Sequence, residues 1–255
     1  MSLRFTADNV CKSYNGKSVL KECSFSFDRG CVYILMGPNG SGKSTFLRIC
    51  ALLEDPDSGE VKYYSDTTAL NPSLPGVGLK GGLKKDIKLR RKITLVLPKI
   101  GLFNTTVFDN VAYGLKIRVY KKRDIEVKVN EVLEFVGLAH KKKLNALTLS
   151  SGETQRLGIA RAIVLKPEVL FLDEPTASLD PQSTEMIEEM ISRLKGRDRM
   201  TIIMVSHNIF QAQRLADMVL FMYDGRIVDY GTKKEFFERP KDERAYRFIT
   251  GQMVY

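Results

Sequence analysis

The sequence predicts an α/β fold built on a mainly parallel sheet, and three observations predict it. Four short runs rich in Val, Ile and Leu, at 31–36, 93–97, 168–172 and 201–205, are apolar throughout rather than alternating, as strands covered on both faces are. Helical patterns separate them and supply the crossovers that parallel pairing requires. The composition is that of an ordinary globular chain, 44% hydrophobic and 27% charged over 255 residues, which is enough for one or two domains with a sizeable core.

The elements follow in order. The first run, "VYILM", passes directly into "GPNGSGKST" at 37–45 and then into the apolar helix pattern "TFLRICALL". Beyond Gly59, the stretch "SDTTALNPSLPGVGLKGGLKK" is rich in Gly, Pro and Ser and reads as a long surface loop. From about residue 98 to 152 helical patterns dominate. There Ile125, Val129, Val132, Leu133 and Val136 share one face behind Asp124, which reads as a helical subdomain inserted between strands. The third run, "VLFL", ends in Asp173 and Glu174. Asp180 before Pro181 then forms an N-cap and first helical position, with Met186, Ile187, Met190, Ile191 and Leu194 recurring on one face. Near the end, "FMYDGRIVDYG" carries an Asp224-Gly225 hairpin turn, and Thr232-x-x-Glu235 makes a capping box.

Charge is the one unusual bulk property. Forty basic against thirty acidic side chains give +10, which suits nucleic acid, an anionic membrane surface or an anionic substrate. The excess is local, because residues 80 to 150 hold seventeen basic and six acidic side chains while the remainder nearly balances. Cys11, Cys23, Cys31 and Cys50 form no C-x-x-C pair, and with His140 and His207 as the only histidines a zinc cage has too few ligands. The polar N-terminus lacks a signal-peptide core, so reduced thiols in a cytoplasmic protein are expected. Apolar runs of about five residues fall far short of the roughly 18 to 20 that span a bilayer.

Two motifs carry chemistry. Gly37, Gly42, Lys43 and Ser44 satisfy the phosphate-loop pattern between a strand and a helix. Glycines let successive N–H groups turn inward as an anion nest; Lys43 supplies a point charge for phosphate oxygens, and the Ser44 hydroxyl can ligate Mg²⁺. The second motif is the acidic end of "VLFLDEP". Alone, it reads more readily as a solvated turn; in a nucleotide enzyme, Asp173 holds Mg²⁺ through water and Glu174 acts as general base.

Taken with "LSSGETQRLGIARA" at 149–162, "SLD" at 178–180 and "VSH" at 205–207, these motifs make the chain resemble the nucleotide-binding subunit of ATP-binding cassette transporters over nearly its whole length. The resemblance implies a phosphate-loop NTPase core with an antiparallel β subdomain at 1–97 and 153–255, and a helical signature subdomain at 98–152. It implies ATP and Mg²⁺ as ligands, bound through Gly37, Pro38, Asn39, Gly40, Ser41, Gly42, Lys43, Ser44 and Thr45, with Asp173 on the metal. Tyr14 matches the aromatic that stacks on adenine, although core packing would also explain a lone Tyr. Ser150, Ser151, Gly152 and Glu153 match the signature that holds the γ-phosphate of the opposite subunit in a head-to-tail homodimer. Asp180 matches the loop crossing that interface, and helix capping is a sufficient local reason for it as well. Glu174, His207 and Lys43 match the catalytic groups.

The expected function is ATP hydrolysis driving transport through separate permease subunits at the cytoplasmic face of the membrane, with a solute-binding protein as further partner and no nucleic acid. "LFNTTVFDNVAYGLKIR" looks most like cassettes serving importers of tungstate and related oxyanions, a pattern shared with phosphate, amino-acid and exporter cassettes. A soluble cassette ATPase of DNA repair or chromosome maintenance is the alternative; those relatives interrupt the cassette with a long coiled coil, and no sustained heptads occur here. Translation-factor cassettes carry two cassettes per chain, against one here. Two positions depart from the family pattern. Pro98 stands where a glutamine usually contacts Mg²⁺ and water, which implies slow hydrolysis or altered coupling, and Ser151 replaces a glycine whose backbone N–H it retains. The basic clusters Arg90-Arg91-Lys92, Lys121-Lys122-Arg123 and Lys141-Lys142-Lys143 fit a solvated face near anionic headgroups.

Overall fold

The computed structural model describes residues 3–64, 77–78, 86–198 and 200–253. Strands β1 (Arg4–Tyr14) and β2 (Lys17–Phe27) form a hairpin around Asn15 and Gly16, both at positive φ, as a two-residue turn between twisted strands prefers. β4 (Ser58–Tyr64) pairs antiparallel with β1, and β5 (Val77–Gly78) pairs with β4, giving a four-stranded antiparallel sheet in the order β2-β1-β4-β5. Val77 and Gly78 are thus a short strand inside the segment expected to be loop. The rest of that expected loop, 65–76 and 79–85, lies outside the described residues.

The second sheet contains β3 (Val32–Met36), β6 (Ile93–Val96), β7 (Val169–Asp173), β8 (Thr201–Val205), β9 (Met218–Tyr223) and β10 (Arg226–Thr232). Its order is β10-β9-β3-β8-β7-β6, and all neighbours are parallel except β9 and β10, which the Asp224-Gly225 turn joins. All four apolar runs are central or parallel strands of this sheet, within one residue of their expected limits.

Both faces of that sheet are covered, which is why its strands are apolar throughout. Tyr33, Leu35, Phe171 and Ile203 point into a core shared with Phe5, Phe27 and Phe46, that is, with the antiparallel sheet and α1 (Lys43–Cys50). Val32, Ile34, Met36, Leu170, Leu172 and Met204 point the other way, into a core closed by helices. Those helices include α3 (Val107–Ile117), α4 (Lys122–Phe135), α5 (Ser151–Ile163), α6 (Pro181–Asp198), α7 (Ile209–Leu215), α8 (Lys233–Glu238) and α9 (Glu243–Ile249); a single turn, α2 (Ile87–Arg90), precedes β6. Helix α4 buries Ile125, Val129 and Leu133 as its periodicity requires, but it begins at Lys122, so Asp124 lies within its first turn and Lys121 is the N-cap. Helix α5 is continuous through residues 152 and 153, where the sequence places a subdomain limit. The basic clusters are partly engaged within the fold: Lys92 pairs with Glu168 at 2.8 Å, Lys141 with Glu153 at 2.6 Å, and Arg90 donates to the Leu52 carbonyl. All four cysteines are free thiols, and among the described residues no helix is long and apolar enough to cross a membrane.

Candidate active site

Parallel pairing brings the carboxyl ends of the strands to one sheet edge, where open α/β sheets bind ligands. Leu35, Val205 and Asp173 share one row across β3, β8 and β7. The residues that follow, Gly37 onward, Ser206-His207 and Glu174, therefore emerge side by side. Pro98, exposed two residues beyond Val96 of the neighbouring β6, emerges at the same edge.

The phosphate loop is shaped by what surrounds it. A Cβ at Gly37 (φ 139°) would lie 2.0 Å from the Met222 carbonyl oxygen, and one at Gly42 (φ 98°) would lie 2.7 Å from Leu20 and 2.8 Å from the Val19 carbonyl. Only glycine fits at either position. Gly42 is also the N-cap of α1 and offers no side-chain cap, so the helix start presents N–H groups to a ligand. The Ser41 hydroxyl is buried in the loop without a hydrogen-bond partner among the protein atoms. Lys43, itself buried, donates to the carbonyls of Gly37 (2.8 Å) and Pro38 (2.7 Å). Burial lowers its pKa, against the attraction of Glu174 and Asp173. An unpartnered hydroxyl, an uncapped helix start and a buried cation satisfied only by carbonyls together fit a polyphosphate.

Beside Lys43, the Ser44 hydroxyl donates to Asp173 Oδ1 at 2.9 Å. Asp173 is 2% exposed, and burial raises its pKa above the usual carboxylate value, opposed by the Ser44 hydrogen bond. Glu174 turns the chain sharply with φ at +48°, a left-handed conformation that costs a non-glycine residue on the order of 1 kcal/mol or more and tends to persist at functional sites. Its Oε1 lies 3.8 Å from His207 Nδ1. Both side chains keep solvent access, 27% and 62%.

The remaining expected residues lie further out. Tyr14 donates its phenol to Glu54, whose other oxygen accepts from Arg48 on α1 at 3.2 Å; Arg48 also reaches Thr45. Burial alone would raise the Glu54 pKa, but the Tyr14 and Arg48 hydrogen bonds bring it below the ordinary value. Tyr14 is therefore held, 38% exposed, against the helix that starts at the phosphate loop. Ser150 caps α5 through a capping box with Glu153, and Ser150 and Ser151 are exposed while Gly152 is buried. Asp180 accepts from Ser183 N (2.9 Å) and Ser183 Oγ (2.6 Å), which lowers its pKa. A Cβ at Gly152 would lie 2.3 Å from Ser183 Oγ, so the start of α5 sits directly on the start of α6. No hydrogen bond joins the 150–153 segment to the phosphate loop among the described residues. Nothing in the sequence singles out Glu54, Arg48 or the group formed by the buried Gln211 and Glu188 with the exposed Arg214; on α7 the structure inverts the usual order, with Phe210 69% exposed and the adjacent Gln211 fully buried.

A parallel sheet whose strand ends carry a glycine-built anion loop, a lysine, a hydroxyl–carboxylate pair and an acid–histidine pair defines a phosphate-loop hydrolase. Residues 20–177 match the family model for ABC transporters, and the chain belongs to that family as an ATP-binding, ATP-hydrolysing subunit. It is 35% identical over 96% of its length, and 86% of the relative's, to a phosphate import ATP-binding protein of Natronomonas pharaonis. It is 37% identical to a probable amino-acid import ATP-binding protein of Bacillus subtilis, over 96% of this chain and 95% of that one. A tungstate uptake system ATP-binding protein of Peptoclostridium acidaminophilum is 36% identical, over 88% and 97%. The structure of cbiO1 from Clostridium perfringens, part of the ABC transporter complex cbiONQ, superposes with a TM-score of 0.77 at 27% identity, covering 99% of this chain and 96% of that one.

Proposed function

We propose that the chain powers a solute importer from the cytoplasmic face of the membrane, hydrolysing Mg-ATP while bound to permease subunits served by a solute-binding protein, with an oxyanion such as tungstate as cargo. The observation that carries the ATPase assignment to residues is the meeting of Lys43 and Ser44, at the start of α1, with Asp173 and Glu174, at the end of β7. The phosphate and tungstate systems among its relatives support an oxyanion cargo.

Lys43 and the loop N–H groups bind the phosphates, and Tyr14 supplies a face for the base. Ser44 and Asp173 present two hard oxygens of the kind Mg²⁺ takes alongside phosphate oxygens and water, so the donor set fits that ion. Bound there, Mg²⁺ supplies charge neutralisation to the phosphates. Glu174 takes a proton from the attacking water, and His207, within 3.8 Å of it, orients that water against the γ-phosphate. Ser150, Ser151 and Gly152 of a second copy complete the anion-binding surround with hydroxyl and backbone N–H donors at the start of α5, which Glu153 holds in shape, with Asp180 at the shared face. The exposed starts of α5 and α6 support this head-to-tail dimer. Residues 98–152 serve as the subdomain facing the permease. A cleft of about 300 Å³ beside Pro98, lined by Leu97, Ile100 and Tyr113, supports docking there.

The test is reconstitution with candidate permeases and their binding proteins. Oxyanion-loaded binding protein is expected to stimulate hydrolysis. Stimulation by amino-acid-loaded protein alone overturns the cargo assignment, and stimulation by DNA without any permease overturns the transport reading.

A further inference from the structure

Between α6 and α7 lies a polar cluster, built on the buried Gln211, Glu188 and Ser206 and closed on the solvent side by Arg214, that the catalytic scheme does not use. Gln211 is fully buried at its centre. Its Nε2 donates to Glu188 Oε1 at 3.1 Å and to Thr176 Oγ1 at 3.0 Å, and its Oε1 accepts from Ser206 Oγ at 2.8 Å. The carboxylate of Glu188 only accepts, so it fixes which way the amide points. Glu188, 7% exposed, is in turn held by both Nε and Nη2 of Arg214 at 2.7 Å. Both ends of the buried Gln211 amide are hydrogen-bonded. The Ser206 hydroxyl takes the Asn208 N–H at 3.1 Å and passes its own proton to Gln211; the Gln211 backbone N–H closes onto Asn208 Oδ1 at 3.0 Å.

The partners are what give this cluster consequence. Thr176 is two residues after Glu174, on the loop that leaves β7 through the left-handed turn. Ser206 and Asn208 flank His207 on both sides. The side-chain amide of Gln211 therefore ties the loop behind the acid to Ser206, directly before the histidine, while its backbone N–H holds Asn208 directly after it, and together they set the separation of the two. A hydrogen-bonded network around a buried amide holds its members more rigidly than the separate pairs would. We propose that Gln211 is a positioning residue for hydrolysis, setting the distance between Glu174 and His207 without touching nucleotide, and that Glu188 sets the orientation of its amide. The inference rests on the catalytic assignment of Glu174 and His207 made above.

Steady-state hydrolysis by the purified full chain tests it, with thermal midpoints recorded for each variant. Gln211→Leu keeps the volume and removes both hydrogen-bonding ends; kcat is expected to fall about tenfold or more while KM for ATP stays within about twofold. In the Glu174→Gln background the same change is expected to add little, because its effect passes through Glu174. Gln211→Glu sets two carboxylates against each other and is expected to lose activity similarly; Glu188→Gln in that background restores one amide and one carboxylate and is expected to recover kcat to within about threefold. The swap also covers the case in which the leucine variant does not fold. Unchanged kcat in folded Gln211→Leu, full additivity with Glu174→Gln, or no recovery in the swap overturns the proposal. Glu174→Gln and His207→Ala alone separate the two levels: if both retain turnover, the catalytic reading has failed, and if both lose it while the Gln211 variants do not, only the positioning role has.

Discussion

The Ser44 hydroxyl donates a 2.9 Å hydrogen bond to Asp173, joining the first turn of the phosphate-loop helix to the end of a strand 129 residues later. That single contact brings the anion loop and the acidic strand end into one site. It also places a carboxylate where its charge is disfavoured unless a cation is near, since burial raises the Asp173 pKa.

A pH dependence follows from that raised value. Above the unfolded carboxyl pKa the unfolded chain releases the proton while the folded chain holds it, so stability is lost as pH rises from about 4 to the higher folded value and stays lost beyond it. Asp173→Asn removes that cost. The nucleotide-free variant is expected to melt at or above the wild-type temperature at pH 7, with the difference vanishing at pH 4, and to lose the stabilisation that Mg-ATP gives the wild type. Thermal melts at the two pH values, with and without Mg-ATP, check both parts.

Gly152 is required by its neighbour. With Ser183 Oγ only 2.3 Å from the place a Cβ would take, Gly152→Ala is expected to cost about 1–3 kcal/mol despite the better helix propensity of alanine. Ser183→Gly in the alanine background is expected to relieve part of that cost, a favourable coupling in a double-mutant cycle read by denaturant unfolding. Strict additivity would mean that the contact is not what excludes a side chain.

Pro98 stands exposed at the edge where Glu174 and His207 emerge, with no side-chain group to hold water or metal. Slow hydrolysis with intact Mg-ATP binding is the expected consequence. Pro98→Gln is expected to raise the ATPase rate and sharpen its Mg²⁺ dependence; an unchanged rate and an unchanged Mg²⁺ titration would remove the proline from the explanation.

The parts of the fold that rest on local rules were legible in the sequence. "VYILM", "VLFL" and "TIIMV" are apolar because both faces of their sheet are covered, the Asp224-Gly225 turn closes a hairpin, and Thr232 and Glu235 form their capping box. The antiparallel sheet was harder to read strand by strand. Asn9 and Glu22, both at positive φ, lie in β1 and β2 where the register slips, breaking the two-residue alternation that marks a half-buried strand. At the site, residues within contiguous motifs were legible: Lys43, Ser44, Asp173, Glu174 and His207 meet at one edge. The supports were not. Glu54 under Tyr14 and Glu188 under Gln211 are brought to their partners by tertiary folding, across 40 and 23 residues, and no local pattern records such a pairing.

The most direct measurement is ATP turnover by Glu174→Gln beside the wild type, with the oligomeric state followed as ATP is added. Removing a general base costs about 10²–10⁴ in rate. Turnover reduced by at least the lower figure, ATP affinity retained, and an ATP-dependent dimer that persists because the nucleotide is not consumed are the expected results. Wild-type turnover in that variant, or a chain that stays monomeric with ATP bound, would contradict the assignment of hydrolysis to this site.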